Sequence, residues 1–498
     1  MVAACMCAAL TTTGCSLLVD TDPFSGSSDD ASVRGDGGAG PDASTTDGGP
    51  PSDANPLALS VTGVLPDTVL EGEGATSAGY PVPVIIAGAN ISPTAVVTAS
   101  HPSVTVVDTL VGADGKTLAV TLRIPVLPGT AAGAMLPLTL TVTQSGISDT
   151  AALNIEGLAE LDIPAGDYVP DGQTYSSIVV SGAAQLRGNV PARLISTSDI
   201  EINADLSADS DDISVPGPGA CSGGAAEKPG GCDQNGGGAA GASGLTVGTG
   251  GGGAGCGTPG QPGESDGGVA GAATCEQLVR RFGTENRGAG GGGGGNSLAG
   301  TGGGGTGGAG GGSVELHAGG TIRINGNLTA AGSDGAAGTG IQCSDHGAGG
   351  GGGSGGIIVL RAAAIERITG TITAKGGNGG GAAACVAGGG GGLGRIRLDA
   401  PLTLGPVGGD DPFAQGPFIA AAMPSLSKDV PITVKLVGQA DTTFLITTDG
   451  GDVKVLTTDA TGVVTTDLDL EPGVHSVCTS TVPIGGAWEN CRKIAIVP

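Results

Sequence analysis

The chain is expected to be all-β: a β-sandwich, then a glycine-rich parallel β-helix or solenoid, then a second small β-sandwich. Three observations carry that expectation. The stretch from Ser313 to Gly332 recurs without a gap from Ile357 to Gly376, 44 residues further on, and repetition at a fixed spacing marks a stacked architecture. Within each copy the apolar residues take every second place, Ile322, Ile324, Leu328 and Ala330 alternating with Arg323, Asn325, Asn327 and Thr329, which is the period of a strand. On either side of this region the chain breaks into short apolar runs separated by turn residues, as sandwich sequences do.

One repeat cannot bury its apolar face alone, so equivalent units must stack into a continuous narrow core. Gly326 and Gly370 interrupt the two copies at equivalent places, where a missing side chain permits a corner or a close backbone approach. Fainter copies flank the pair. The segment Arg193 to Ala208 sets Ile202, Leu206 and Ala208 in register with Ile324, Leu328 and Ala330, and Gly394 to Ala400 repeats only the opening. The gapless register stacks Ile324 on Ile368 and Leu328 on Ile372. It also puts Glu366 where Ile322 stands, so a bulge or an outward turn is required there.

The length of 498 residues is enough for about two to four domains. With 102 glycines and only 2% aromatic residues, the middle of the chain has little side-chain material for a core and must lean on backbone hydrogen bonds and cross-links. The 47 acidic residues outnumber 20 basic ones, for a net charge of −27. Such a balance repels nucleic acid and anionic lipid surfaces, so neither is expected as a partner.

In chain order, residues 1–15 are small and apolar, like the end of an export signal. They run into Thr13-Gly14-Cys15-Ser16, which resembles the tail of a bacterial lipoprotein box, although Thr12 stands where that box usually has an aliphatic residue. The resemblance implies that Cys15 is lipidated and that the membrane is contacted through this anchor only. Residues 16–55 are rich in Asp, Gly, Ser, Thr and Pro, a composition that stays disordered and acts as a tether.

Residues 56–160 hold the first sandwich, with runs Leu57 to Val61, Val82 to Ile86, Val104 to Val107, Leu118 to Ile124, Leu138 to Val142 and Leu153 to Ile155. Pro66 to Gly74, Ile85 to Asn90 and Val120 to Pro125 together resemble the IPT/TIG family, which implies an immunoglobulin-like fold. Gly115-Lys116-Thr117 lacks the earlier glycine of a phosphate loop, because Leu110 occupies that place, and reads as a hairpin turn. Residues 161–428 form the solenoid, with Ser177 to Ser181 and Gln185 to Arg187 as its first coils and a long insert at 211–312. The insert carries one short helical stretch, Cys275 to Phe282. A structureless segment of that length inside a compact domain is exceptional, so it should pack against the solenoid. The runs Gly290 to Gly295, Gly349 to Gly353 and Gly388 to Gly392 read either as flexible loops or as extended polyproline-II segments exchanging backbone hydrogen bonds side by side, a spacing that only glycine permits. Residues 429–498 make a second sandwich, with Phe444 and Trp488 as core anchors, similar to the immunoglobulin-like domains that often end bacterial surface proteins.

Eight cysteines follow the signal: Cys221, Cys232, Cys256, Cys275, Cys343, Cys385, Cys478 and Cys491. An even number in an exported chain favours disulfides, and none of the pairs has the close spacing of a zinc site. Cys478 is expected to bond to Cys491. Cys343 is expected to bond to Cys385, since each lies between the end of a repeat and the next glycine run. Connectivity within 221–275 stays open.

Chemistry is sparse. His101, His317, His346 and His475 are scattered and read as surface histidines. Asp205, Asp209, Asp211 and Asp212 offer oxygens for calcium, but the glycine-aspartate repeat of calcium solenoids is absent. Arg323, Arg361, Arg367, Arg395 and Arg397 project from the repeated strands near Glu315, Glu366 and Asp399. These residues suit either the charged groove of a β-helix polysaccharide lyase or hydrolase, or plain cross-strand pairing. Gly14-Cys15-Ser16, the acidic tether and the glycine-run repeat together resemble glycine-rich multidomain surface lipoproteins of Gram-negative bacteria. The resemblance implies a non-catalytic scaffold or adhesin at the outer membrane, facing the exterior or periplasm, that binds a glycan or a surface protein. No cofactor, metal or catalytic residue is assigned.

Overall fold

The computed structural model describes residues 58–232, 236–245, 247–265, 267–275, 287–298, 302–340, 346–381, 386–401, 413–420, 423–451, 453–481 and 490–498. Among them every regular element is a strand, and no helix is long and apolar enough to cross a membrane. Cys15, the tether, Trp488, Cys343, Cys385 and the expected helical stretch beyond Cys275 lie outside the described residues.

The first sandwich pairs two sheets of four strands. One runs Ser60–Leu65, Val82–Ala89, Thr117–Arg123, Thr105–Val111; the other runs Thr68–Leu70, Ile147–Glu156, Met135–Gln144, Val96–Ala99. Alternation builds the core: along Met135–Gln144, Leu138, Leu140 and Val142 are buried while Pro137 and Thr139 face out. They meet Val84, Ile86, Leu118 and Val120 of the opposite sheet, the inner-face packing of an immunoglobulin-like sandwich. Gly115 turns the hairpin before Thr117–Arg123 with a φ of +63°.

The solenoid has three faces, each a parallel sheet. The first face stacks Glu160–Ile163, Ser177–Val180, Ile200–Ile202, Thr321–Ile324 and Ala364–Arg367. The second stacks Gly166–Tyr168, Ala184–Leu186, Leu206–Ser207, Leu328–Thr329 and Ile372–Thr373. The third stacks Thr174–Tyr175, Ala192–Ser196, Ser313–Ala318, Ile357–Arg361, Arg395–Asp399 and Phe413–Gln415. Like side chains lie over like: Ile178, Ile200, Ile322 and Ile365 form one column, and Leu194, Leu316, Leu360 and Leu398 another. All belong to a single core cluster.

The two clear repeats are in gapless register on the second and third faces, where Leu328 opposes Ile372 and Val314 opposes Ile358. On the first face they are not. There Ile322 opposes Ile365 and Arg323 opposes Glu366, so the expected stacking of Ile324 on Ile368 does not form, and Ile368 is 56% exposed. The reason is Glu366. In the gapless register its carboxylate would point into the apolar core, where an uncompensated charge costs several kcal/mol. A slip of one residue reverses the facing of every side chain, bringing Ile365 inward and setting Glu366 3.2 Å from Arg323 Nε. The chain regains its register within the corner Ile368 to Gly370, where Gly370 stacks against Gly326 so closely that a Cβ would overlap the Gly326 carbonyl.

Every coil leaves the second face and enters the third through the same corner. In the early coils this corner is short, from Tyr168 to Thr174 and from Leu186 to Ala192; later it opens between Ser207 and Ser313, Thr329 and Ile357, and Thr373 and Arg395. The glycine runs fill these three excursions, and they are ordered against one another. The segment Gly290 to Gly295 shows the rule. Gly291 and Gly294 donate to Gly308 and Gly305, Gly292 and Gly295 to Gly252 and Thr249, and Gly290 and Gly293 to Gly231 and Lys228, all between 2.8 and 3.2 Å. Each third residue returns to the same neighbour, the period of polyproline II. Its carbonyls accept in turn from Gly238 and Gly241, from Gly224 and Glu227, and from Gly351 and Ala348. One extended segment thus bonds to six others, and the insert is welded to the excursions of the later coils.

The second sandwich pairs Phe418–Ile419, Ile432–Val437 and Val463–Leu468 with the sheet Leu426–Ser427, Asn490–Ile496, Gly473–Thr481, Thr443–Thr448, Val453–Thr457. Ile432, Val434, Ile446, Val477 and Ile494 form its core. Phe444 is fully buried and packs on Leu436 and on Ala414 of the last solenoid strand. Ala495 and Val497 pack on Ile85 and Ala119 of the first sandwich. The two sandwiches and the solenoid therefore touch one another.

A methyl group has no room in the glycine bundle: a Cβ on buried Gly292 would overlap the Ala239 carbonyl oxygen, whereas exposed Gly381 has nothing within 4 Å. We expect Gly292→Ala to destabilise the protein by about 1–3 kcal/mol, and Gly381→Ala to change it by less than about 0.5 kcal/mol. Denaturant unfolding of the two variants checks this, and equal stabilities would contradict the packing.

Candidate functional site: a cleft between three bodies

The third face of the solenoid builds the site. Its strand Ser313–Ala318 sends Val314 and Leu316 into the core and leaves Ser313, Glu315 and His317 on the outer side. Neighbouring strands add Arg193, Arg361, Arg397 and Asp399 to the same outer surface. An outer solenoid face normally meets water, but this one is covered. The Cys256–Cys275 pair packs on Ile357 and Val359, and Asn490 of the second sandwich donates to the Asp399 carbonyl at 3.4 Å.

Under that cover the charges form a chain of ion pairs. Arg193 Nε lies 2.7 Å from Glu315 Oε2, and Arg361 Nη1 lies 2.7 Å from Glu315 Oε1. Arg361 Nε reaches Asp399 Oδ2 at 3.0 Å. Arg397 closes the chain with Nε on Asp399 Oδ1 and Nη2 on Oδ2, each at 2.7 Å. Glu315 and Asp399 are wholly buried. Arg323 occupies the first face instead, between Asp199 at 3.0 Å, Glu201 at 3.2 Å and Glu366 at 3.2 Å.

At one end of the third face the segment 71–81 of the first sandwich meets the solenoid corner, Thr197 Oγ1 donating to the Glu71 carbonyl. The second sandwich closes the angle with Asn490–Ile496. Between them lies a cleft of about 240 Å³, lined by Glu73, Tyr80, Thr174, Thr197, His317 and Arg492. Lys493 stands at it with Nζ 3.0 Å from Glu73 Oε1. Burial, with Arg361 nearby adding to it, holds the His317 imidazole down at about 4 from its ordinary 6.5, so the ring is neutral at pH 7. Burial also lowers the Arg492 guanidinium to about 10, which leaves it charged.

The other candidate residues are dispersed. Asp205 accepts from Asn327, Asp209 from Thr329, Asp211 pairs with Arg187, and Asp212 caps Ser214. No group of three or more His, Cys, Asp or Glu suited to a metal occurs among the described residues. The histidines are not all on the surface: His317 lines the cleft and His346 is buried with Nδ1 at the Gly347 carbonyl, 2.7 Å away. Cys221 is bonded to Cys232, Cys256 to Cys275 and Cys478 to Cys491. Tyr80 and Arg492 were not apparent as site residues. One signal for Arg492 exists in the sequence, because it shares the inward parity of Ile494 and Ile496 along its strand.

The fold and the site define an all-β protein of two immunoglobulin-like sandwiches joined to a glycine-rich parallel solenoid. The chain matches no family model and no curated protein.

Two outcomes follow from the buried charges. Glu315→Ala removes one of the two acids that hold buried Arg361, which keeps Asp399, and the partner of half-exposed Arg193, and is expected to cost about 1–3 kcal/mol in urea unfolding at pH 7. For His317, the unfolded ring takes its proton near 6.5 and the folded ring only near 4. The unfolded state therefore binds more protons in that window, so this contribution is full above pH 6.5 and is lost as pH falls towards 4. Urea unfolding at neutral and acid pH should show a shallower loss for His317→Gln than for the parent protein, and identical slopes would refute the assignment.

Proposed function

We propose that the chain is a non-catalytic cell-surface lipoprotein, tethered to the outer membrane through lipid on Cys15, that serves as a scaffold or adhesin for a glycan or a protein. The observation that carries this reading is the fate of the charged repeat residues. Arg361 and Arg397 are bound to Glu315 and Asp399 beneath packed protein, where substrate cannot reach them. A catalytic pair needs at least one group free to meet the reacting atoms. The IPT/TIG-like character of the first sandwich fits the same reading, because sandwiches of this kind present loops at their ends for recognition.

A second reading, a β-helix enzyme acting on polysaccharide as lyase or hydrolase, is favoured by Arg323. That side chain is about one-third exposed and has Asp199, Glu201 and Glu366 around it. The one guanidinium is shared by all three carboxylates, which favours the cross-strand role.

The purified chain is expected to leave acidic and neutral polysaccharides uncut, while intact cells expose it to added protease and mass spectrometry finds diacylglycerol on Cys15. Cleavage of a polysaccharide that disappears in Arg323→Ala would establish the enzyme reading. An unmodified Cys15 in the mature protein would end the anchor.

A further inference from the structure

The three cystines among the described residues differ in what covers them. Cys256 and Cys275 are both buried, and Cys221 and Cys232 are both half-buried. The third pair is uneven. Cys478 is 7% exposed, whereas Cys491 is exposed and lines the cleft between the three bodies. The two stand directly opposite each other across the antiparallel strands Gly473–Thr481 and Asn490–Ile496. One half of this cystine is therefore offered to the cleft, and the other is kept inside.

Thiol–disulfide exchange needs a reachable sulfur to attack and a stabilised sulfur to leave. Cys491 supplies the first. Cys478 supplies the second, because Ser476 Oγ lies 3.3 Å from Cys478 Sγ, and a sulfur in a disulfide carries no proton, so the hydroxyl is the donor. That contact strengthens as Cys478 takes up the negative charge of a thiolate. Arg492 and Lys493 follow Cys491 in the cleft wall, and the acid in the described lining is Glu73. With His317 neutral, the cleft has a positive excess in a chain of net charge −27, which favours an approaching thiolate.

The strand that carries Cys491 also carries the second sandwich's contacts with both neighbours. Asn490 donates to the Asp399 carbonyl at 3.4 Å, Lys493 pairs with Glu73 at 3.0 Å, and Ala495 and Val497 pack on Ile85 and Ala119. Between them Arg492 is 4% exposed, with its guanidinium carbon 3.2 Å from the centre of the Tyr80 ring and Nη1 donating to the Ala420 carbonyl at 2.6 Å. Burial works against that charge, and the ring and the carbonyl offset only part of the cost. Rehydration of Arg492 therefore pulls the start of the strand outward. The cystine, one residue away, opposes it.

We propose that Cys491 is a site of thiol–disulfide exchange and that the Cys478–Cys491 bond is a latch on the docking of the second sandwich. The reductant is a dithiol. Its first thiolate attacks Cys491 Sγ, a new S–S bond forms there, and the old bond breaks with its electron pair leaving on Cys478 Sγ beside Ser476. The reagent's second thiolate then attacks the reagent sulfur of the mixed disulfide and releases Cys491. The two cysteine thiolates take up the two protons the reagent has lost, so the cystine becomes two thiols and the dithiol a disulfide. With the bond open, residues 490–493 peel from the cleft and one of its walls is lost. The latch goes beyond the scaffold reading and does not depend on which glycan or protein is bound.

The test treats the full chain with dithiothreitol under native conditions, alkylates it at intervals and maps the labelled cysteines by mass spectrometry. Cys478 and Cys491 should be labelled at least about 10-fold faster than Cys256 and Cys275, since access governs the attack. Glutathione, with a single thiol, should be trapped on Cys491 while Cys478 is free to alkylate. Ser476→Ala should slow the reduction by about 2- to 5-fold, because the leaving thiolate loses its donor. Once the bond is open, hydrogen exchange should rise in residues 490–493 and 71–81, while Leu138 to Val142 and Ile322 to Ile324 keep their protection. The folded double variant Cys478→Ser, Cys491→Ser should show the same exchange without reductant. Reduction of Cys256–Cys275 at an equal or greater rate, glutathione on Cys478, or an unaltered rate in Ser476→Ala would overturn the exchange site. Unchanged exchange at 490–493 after reduction, or loss of protection throughout the chain, would overturn the latch. None of these failures touches the scaffold reading, because surface exposure and the absence of cleavage decide it separately.

Discussion

The structure depends on backbone hydrogen bonds made between glycine-rich segments that have no side chains to pack. An exposed polyglycine segment is among the most costly to order, because glycine loses more conformational freedom than any other residue, and each net hydrogen bond returns only about 0.5–1.5 kcal/mol. Order is therefore possible only where nearly every amide and carbonyl finds a protein partner. Gly290 to Gly295 meets that condition, each residue both donating and accepting across six neighbours. The segments must approach so closely that glycine is required at the contact, which is why the bundle and its composition cannot be separated.

Such a bundle has no apolar core to set its register, and the solenoid supplies one. Three excursions leave from the ends of adjacent second-face strands and return to adjacent third-face strands, so their roots are spaced by the strand ladder. Leu206, Leu328 and Ile372 in one column and Val314, Ile358 and Ile396 in another fix that ladder through side chains. The Cys256–Cys275 bond then holds part of the insert down on Ile357 and Val359. Side-chain packing sets the register, and the glycine lattice copies it outward.

Period-two alternation made much of the fold legible, because it reports which side of a strand is buried whatever the partner. The columns Ile202 on Ile324 and Leu328 on Ile372 could be read from Ala208, Ala330 and the spacing alone. The slip at Glu366 could be anticipated as a conflict but not resolved, since a bulge and a shifted register remove the same buried charge. The glycine runs were ambiguous for a plainer reason. Without side chains there is no pattern to distinguish a loop from an extended segment, and the distinction lies wholly in neighbours brought from elsewhere in the chain. The cleft was the least legible part. Tyr80, His317 and Arg492 stand far apart in sequence and meet only after three bodies have docked, and Arg323, Arg361 and Arg397, which did stand out on the repeat, proved to be paired with acids.

Those paired charges nonetheless bear on the cleft. On an open surface an ion pair contributes about 0–1 kcal/mol and dictates little. Covered by the insert and the second sandwich, Glu315 and Asp399 become buried charges whose loss of partners would cost several kcal/mol. Any displaced docking of the solenoid's neighbours that disturbed Arg193, Arg361 or Arg397 would meet that penalty, so the ladder selects one placement of the bodies that cover it. Phe444 on Ala414, and Ala495 and Val497 on Ile85 and Ala119, then secure the same placement by apolar contact. The cleft is the space left where these constraints meet, with one wall from each body. Its shape is thereby fixed by interactions that do not line it.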